Sequence, residues 1–443
     1  MGVVGGGAAG LAAAWHAARE GAIVNVLERT EQAGKKVLIS GGTRCNVLPA
    51  SVDARRDFVT SAGSERLVRN VLKSWRLDGP GSCRAWLEED LGLPLKLEDQ
   101  PGGSAKWCVN YYFTILFFTR LTYGRRRFPT SNSSTDVRDA LVNACLAEGV
   151  SFDYGASVEA IHRRREGGWA AETSGRTVEV DRLIVATGGL SFPKVGTDGT
   201  GYRILSEDLG HELVEPYPAL TPLTGRHPGS ASLAGISLDV DLSVPAVKAK
   251  KKAKKGVQAA RPGLLFTHRG FSGPAVLDVS HLAVQHLERR VAERPSLVVQ
   301  WSGSRAEWEE VLLSGGGGLV LNQALKQNGV PARLGSALLE AAGVPTTRTL
   351  SELRKGERLA LVACLAEYSL EYDGHEGFDK AEVTGGGVSL VDVDTKTMES
   401  TVAQCEGLFL CGEVLDCFGR IGGFNFLWAW VTGRLAGIHA ARR

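Results

Sequence analysis

Met1-Gly-Val-Val-Gly5-Gly6-Gly7-Ala8-Ala9-Gly10 opens the chain, and Glu28-Arg29 closes the segment that follows. The glycines satisfy G-x-G-x-x-G. Gly5 allows a tight turn, Gly7 lets the main chain approach a pyrophosphate, and Gly10 lets a helix pack closely on a strand; Ala9 belongs to the same loop. The apolar run Leu11 to Ala18 reads as a helix stopped by Gly21, and Ala22-Ile-Val-Asn-Val-Leu27 as a second strand. A helix that starts at such a turn offers free N–H groups and its positive dipole end to phosphate. Alone the motif is weak; between a strand and a helix, answered by Glu28 at the next strand's end, it is strong. Glu28 can accept hydrogen bonds from both ribose hydroxyls and repels a 2′-phosphate, so FAD or NAD is expected over NADP.

Three further loops decide between those two. Gly34-Lys35-Lys36-Val-Leu-Ile-Ser40-Gly41-Gly42-Thr43-Arg44-Cys45-Asn46 is small and polar, with Lys36 and Arg44 as charge partners for a bound anion. Ala186-Thr187-Gly188-Gly189 follows a buried strand, Leu183-Ile-Val. Gly412-Glu413-Val-Leu-Asp416 and Gly422-Gly423-Phe424-Asn425-Phe426 come near the end. A dinucleotide that meets the start, middle and end of a chain is long and extended, which fits FAD better than NAD.

The chain has 443 residues, enough for two or three domains, and 43% hydrophobic against 23% charged residues, a globular balance. Lys and Arg number 51 against 49 acids, so nucleic acid is an unlikely partner by composition. Lys248 to Lys255 reads Lys-Ala-Lys-Lys-Lys-Ala-Lys-Lys, expected to be a solvated loop, with a polyanion contact as the alternative. Eight cysteines occur without C-x-x-C or metal-type spacing, so no metal site and a reducing compartment are expected. No targeting segment is visible and the chain opens almost inside a strand, pointing to cytoplasm or an organelle matrix, with a truncated start. Trp107 to Tyr123 holds seven aromatics and a single charge. It is too short to span a membrane and has no polar face, so 101–122 is expected to be foreign to the fold.

From 215 to 303 the texture is Pro-rich and strand-like, suggesting a small barrel or sandwich. Residues 304–366 read as short helices over Glu307–Leu313, Leu319–Lys326, Leu334–Ala341 and Leu359–Leu365. From 385 the chain returns to strand, glycine turn and helix.

Together the motifs resemble the BaiN-like and aminoacetone-oxidase-like FAD-dependent flavoproteins. The resemblance rests on GGGAAG at 5–10, KVLISGGTRCN at 36–46, RFPTSN at 127–132 and ATGGLSFPKVGTDGTGY at 186–202. It continues through FTHRGFSGP at 266–274, AEVTGGGV at 381–388 and GEVLDCFGRIGGFNFLWAWVTGRLAG at 412–437. Thr43 stands where the family usually has a third glycine, and Phe418 and Leu427 replace polar residues. The resemblance implies an α/β fold. A Rossmann-like layered FAD domain (1–214 and 385–443) would hold an inserted β-barrel (215–303 and 367–384), itself holding a helical subdomain (304–366). It also implies that Glu28 binds the adenosine ribose, with Arg29 beside it, and that Lys36 and Asn46 line the cofactor. Val158 would contact adenine through its backbone, Thr187, Gly188, Gly412, Glu413 and Gly422 would flank the nucleotide, and Asp416 would hold the ribityl side. Gly423, Asn425 and Phe426 would present N–H groups to the isoalloxazine, where reduced flavin carries negative charge.

Hydride chemistry belongs to the flavin, so neither a nucleophile nor a metal is required. The lack of C-x-x-C argues against a disulfide reductase. No second strand-linked G-x-G-x-x-G is present, so NAD(P)H is expected at most as a transient electron donor. His268, in Phe-Thr-His-Arg-Gly-Phe-Ser-Gly-Pro, is the candidate acid/base on the substrate side; a histidine that merely holds a barrel turn is the equal alternative. The expectation is an FAD-dependent oxidoreductase acting on a small organic molecule, with action on RNA as the second reading.

Overall fold

The computed structural model describes residues 1–61, 63–98, 126–245, 256–259, 262–289, 293–314 and 318–442. The expectations for Lys248–Lys255 and for 101–122 lie outside the described residues. By its internal contacts the chain forms two units, one of them Ala219–Lys380 and the other made from the segments on either side.

The first unit is organised on a parallel five-stranded sheet. Strand β1 (Gly2–Val4) lies in the middle, β2 (Asn25–Glu28) on one side and Leu183–Val185 on the other. Ser151–Tyr154 and Leu408–Leu410 form the edges. The register runs Val3 to Ile184 and Val3 to Val26. Gly-Val-Val, Leu-Ile-Val and Leu-Phe-Leu are buried on both faces, which is why they are short apolar runs without alternation. Because β1 has neighbours on both sides that are reached by different crossovers, the crevice beyond its carboxyl end is the place for a ligand.

Helix α1 (Ala8–Arg19) leaves that crevice and packs against the last helix, Phe424–Arg442. Both are buried nearly all round, so neither shows a polar face. The contact is backbone on backbone. A Cβ on Gly433 would lie 2.5 Å from the Ala9 carbonyl oxygen, and one on Gly437 2.3 Å from that of Ala13. A step of four on one helix matches a step of four on the other in the same sense, so the helices run parallel.

The expected strands around 157–180 form an antiparallel sheet of Val158–Arg163, Trp169–Thr173 and Thr177–Val180. The helix expected from Ser134 spans Ser134–Ala147, capped by the Ser133 hydroxyl accepting from Asp136 N.

His16 of α1 is buried among Trp15, Trp75 and Trp86. Burial, then the Arg434 and Arg19 cations, holds its pKa well below the usual 6.5. The native imidazole therefore stays neutral where the unfolded one takes a proton. Its stabilisation is complete above about pH 6.5 and falls as pH drops below that value, because the unfolded state then binds more protons. Melting temperature should decline between about pH 7 and 5, and His16→Phe should flatten the slope. His211, also held low by burial, supplies a remainder.

The second unit carries an antiparallel sheet in the order Tyr368–Ser369, Val298–Trp301, Ser237–Val244, Gly263–Phe266, Gly270–Ser272, Leu223–Arg226, Glu371–His375. Its two edges are separated in the chain only by Leu370, so the sheet curls into a barrel. Phe266, Phe271, Trp301 and Tyr372 fill it. Helix Pro274–Arg289 follows the strand Gly270–Ser272, and the helices within 304–366 are Arg305–Leu313, Leu321–Gln327, Ala332–Ala341 and Lys355–Ala366. Of these last four, the first begins two residues earlier than its apolar spacing suggests because Ser304 and Glu307 form a capping box.

Candidate functional site

The glycine loop does three different jobs. Gly5 has φ +102, and a Cβ there would sit 2.5 Å from the Ala186 carbonyl oxygen. A Cβ on Gly10 would stand 1.9 Å from the Gly5 carbonyl oxygen, so only glycine lets α1 start so near the strand. A Cβ on Gly7 would meet nothing within 4 Å. Gly7 caps α1 without any side-chain partner, so its open side and the first N–H groups of the helix face free space.

Glu28 is held from two directions. Its Oε2 accepts from Gly6 N at 2.8 Å, and its Oε1 accepts from Thr30 N at 2.9 Å and Thr30 Oγ1 at 2.7 Å. A carboxylate offers about four lone-pair positions. The bonds from Gly6 and Thr30 fix the carboxylate at the end of β2 and leave it acceptor capacity on Oε2. Arg29 turns instead to Asp198, 2.8 Å away in the 186–202 loop. Ala156 N donates to Glu28 O at 2.9 Å, bringing the chain just before Val158 alongside this strand end.

Lys36 and Glu413 form an ion pair at 3.1 Å, with about a quarter of each side chain exposed. Ser191 Oγ lies 2.9 Å from Lys36 Nζ and donates to Glu413 Oε1 at 3.1 Å. Thr384 N donates to the same oxygen at 2.9 Å, and Thr384 Oγ1 accepts from Leu190 N at 2.7 Å. A Cβ on Gly189 would strike Thr384 Oγ1 at 2.3 Å. Four loops that are remote in sequence are thus tied at one point, two of them through Ser191 and Thr384, which no spacing in the sequence marks. Nearby, Thr187 Oγ1 is a buried hydroxyl with no hydrogen-bond partner.

Asp416 is buried, and its Oδ2 accepts from Ser61 N at 2.9 Å and from the Ser61 hydroxyl. Thr60 Oγ1 donates to Asp416 O at 2.6 Å. No sequence motif pointed to Thr60 or Ser61. Gly422 and Gly423 have φ +140 and +85, and a Cβ on Gly423 would lie 2.6 Å from the Leu48 carbonyl carbon. The last helix makes its first main-chain bond from Leu427 N to Gly423 O, so the N–H groups of Phe424, Asn425 and Phe426 precede its ladder. The Asn425 amide is engaged on both sides with the Gly419 backbone, at 2.7 and 2.8 Å, and pins that turn. Asn46 is buried, and with its amide suitably oriented donates to Leu48 O and Arg127 O. Gly412, φ +82, approaches Ala9 so closely that a Cβ would lie 2.6 Å from the Ala9 Cβ.

The two helix ends have a measurable offset. Gly433 faces Ala9, so Ala8 is level with residue 432, eight residues inside the last helix. At 1.5 Å per residue the start of that helix projects about 12 Å beyond the start of α1. Two positive dipole ends therefore point the same way, roughly 12 Å apart along the helix direction. That separation is too long for a single diphosphate and suits a diphosphate at one end and a ring system at the other, joined by a sugar-alcohol chain. The open side of Gly7, the Glu28 carboxylate and the orphaned Thr187 hydroxyl are groups that fit a bound flavin nucleotide.

Arg44 pairs with Glu98 at 2.7 Å, bonds Asn132 and lies over the face of Phe128. His268 belongs to the second unit, exposed at the turn between Gly263–Phe266 and Gly270–Ser272. Of the described cysteines all are free; Cys45 and Cys145 have thiols pushed up to about 12 by burial, and Cys411 is pushed higher, so none of these three offers a thiolate. Among the described residues no cluster of His, Cys, Asp or Glu could hold a metal, and no helix is long and apolar enough to cross a membrane.

Residues 118–439 match the HI0933-like protein Rossmann domain, and residues 3–38 match an NAD(P)-binding Rossmann-like domain. The chain is 30% identical to the 3-dehydro-bile acid delta(4,6)-reductase of Clostridium scindens, over 100% of this chain and 99% of the relative. It is 29% identical to the ribosomal RNA dihydrouridine synthase of Escherichia coli, over 97% and 94% respectively. A solved structure, 3-ketosteroid delta1-dehydrogenase from Sterolibacterium denitrificans, is 15% identical, covers 99% of this chain and 98% of its own, and has a TM-score of 0.48. With the glycine loop, the two offset helix ends and a family match across most of its length, the chain belongs to the HI0933-like Rossmann family of flavin-dependent oxidoreductases.

Proposed function

We propose that the chain binds FAD in the extended crevice and reduces a carbon–carbon double bond conjugated to a carbonyl in a small organic molecule. The observation that carries the cofactor is the roughly 12 Å offset between two parallel helix N-termini. In this reading α1 takes the diphosphate over Gly7, Glu28 takes the adenosine-ribose hydroxyls, and Thr187 gains the partner its hydroxyl lacks. Asp416, positioned by Ser61 and Thr60, faces the ribityl chain, and the first N–H groups of the last helix stabilise charge on the ring. When bound, the flavin supplies the hydride.

The bond class is supported by what the two named relatives have in common. A 3-dehydro bile acid with Δ4,6 unsaturation and a uridine both present a double bond polarised by a carbonyl, and the names delta(4,6)-reductase and dihydrouridine synthase both describe reduction of such a bond. His268 is the side chain we assign to the balancing proton; His268→Asn should lower kcat while FAD content stays unchanged. Action on RNA is the second reading, supported by the name of the Escherichia coli relative.

The purified protein should be yellow and release FAD, not FMN, on denaturation; FMN or no nucleotide after reconstitution refutes the cofactor assignment. Anaerobic reduction followed by mixing with a conjugated enone should restore the oxidised flavin spectrum. Re-oxidation by uridine-containing ribosomal RNA, with enones inert, would select the second reading.

A further inference from the structure

The first unit contains a run of aromatic rings in contact that the flavin site does not need. Phe426, half-buried on the first turn of the last helix, stacks on Trp430 with centroids 5.3 Å apart and planes 18° from parallel. Trp430 meets Trp86 at 5.5 Å. From Trp86 the run forks, to Trp15 at 5.9 Å and to Trp75 at 5.6 Å. Four of the chain's nine tryptophans are joined this way, brought from three separate segments. Trp430 and Trp86 are almost wholly buried, and Trp15 lies beneath Arg19, whose side chain is 55% exposed.

Resting on the FAD reading above, we infer that Trp430, Trp86 and Trp15 form a hopping route for single electrons from the flavin to a buried ring that lies directly beneath the exposed Arg19. Indole is among the most easily oxidised side chains, and rings in contact exchange electrons far faster than rings separated by saturated chain. The surroundings of each ring set its part. The Trp430 N–H is fixed to Val47 O at 3.0 Å, which holds the ring beside Phe426. The Trp86 N–H is buried without a hydrogen-bond partner, so an oxidised Trp86 has no acceptor for its proton and passes the vacancy on.

The fork is asymmetric. Arg434 lies over Trp75 at 5.0 Å, half-buried, and its charge makes electron removal from Trp75 harder. Arg19 lies over Trp15 at 5.5 Å, is well exposed, and is paired with Glu148 at 3.1 Å, so its field is largely cancelled and screened. The route ends at Trp15, and Trp75 is a side branch.

The electron count closes. Bound flavin excited by light would supply the one-electron oxidant: Trp430 would give up an electron, Trp86 would refill Trp430, and Trp15 would refill Trp86. The flavin has gained one electron and Trp15 has lost one, with no bond made or broken. In the dark the two recombine.

The test is a blue laser flash on the full FAD-loaded chain without added donor, following the indolyl radical and its lifetime. The wild type should give a long-lived separated pair. Trp86→Phe and Trp15→Phe should each shorten it by an order of magnitude or more, whereas Trp75→Phe should leave it within a factor of two. Trp15 and Trp75 are 6% and 7% exposed, so a purely packing role predicts equal effects for the two variants. An unchanged lifetime in Trp86→Phe, or a Trp75→Phe effect matching that of Trp15→Phe, overturns the route. Bound FAD is quantified first: a chain without FAD defeats the cofactor reading, and a chain with FAD but no tryptophan radical defeats this inference alone.

Discussion

Gly10→Ala is expected to cost the chain both stability and cofactor, whereas Gly7→Ala should keep the fold and lose the cofactor alone. The two glycines are three residues apart in one motif, yet their surroundings are opposite. At Gly10 the new methyl would stand 1.9 Å from the Gly5 carbonyl oxygen, a backbone atom that cannot rotate away. The start of α1 must then lift from β1, and with it the Gly433 and Gly437 contacts on Ala9 and Ala13. Overpacking of this kind costs about 1–3 kcal/mol or more. At Gly7 the backbone is already extended, with φ −78 and ψ −174, which alanine adopts freely, and the methyl meets nothing within 4 Å. What it would meet is a diphosphate. Melting temperature of the apoprotein and FAD per chain together check the pair. If Gly7→Ala holds FAD as tightly as wild type, the phosphates do not lie over this turn.

The parts of this site encoded within a few residues were legible in the sequence, and those encoded by tertiary approach were not. The strand, glycine turn and helix of 2–19 and the acid at 28 are set by local spacing, so their places follow from pattern alone. How many ribose bonds Glu28 can accept depends on Thr30 and Gly6 folding back on it, which spacing does not show. Arg44 sits in a loop of the expected composition, but its partner Glu98 is 54 residues away, and local spacing does not show that pairing. Gly433 and Gly437 have no local signal in an apolar helix; the parallel approach of α1 gives them a purpose. Ser61 reaches Asp416 across 355 residues from a segment without any motif. The buried state of Cys45, Cys145 and Cys411 was legible, because isolated cysteines without paired spacing behave as small apolar groups.

Glu413→Ala should be the most damaging single change in the loop junction, and adding Lys36→Met should recover part of the loss. In the native chain Glu413 accepts from Lys36, Ser191 and Thr384 N, so its removal strands an ammonium and two donors at once. Breaking a fully buried ion pair from one side costs about 3–5 kcal/mol. Here each side chain keeps about a quarter of its surface in water, which reduces the expected loss to about 2–3 kcal/mol. Lys36→Met alone should cost less, because the Glu413 carboxylate still has Ser191 and Thr384 N. In the double variant the stranded charge is gone, so the loss should fall short of the sum of the singles by about 1 kcal/mol or more. Glu413→Gln separates charge from hydrogen bonding: it can still accept from Thr384 N, and it should fall between wild type and Glu413→Ala. Urea unfolding of the four proteins measures the cycle. Additive losses would mean that Lys36 and Glu413 act independently, and that the four loops are held in place by glycine packing rather than by this pair.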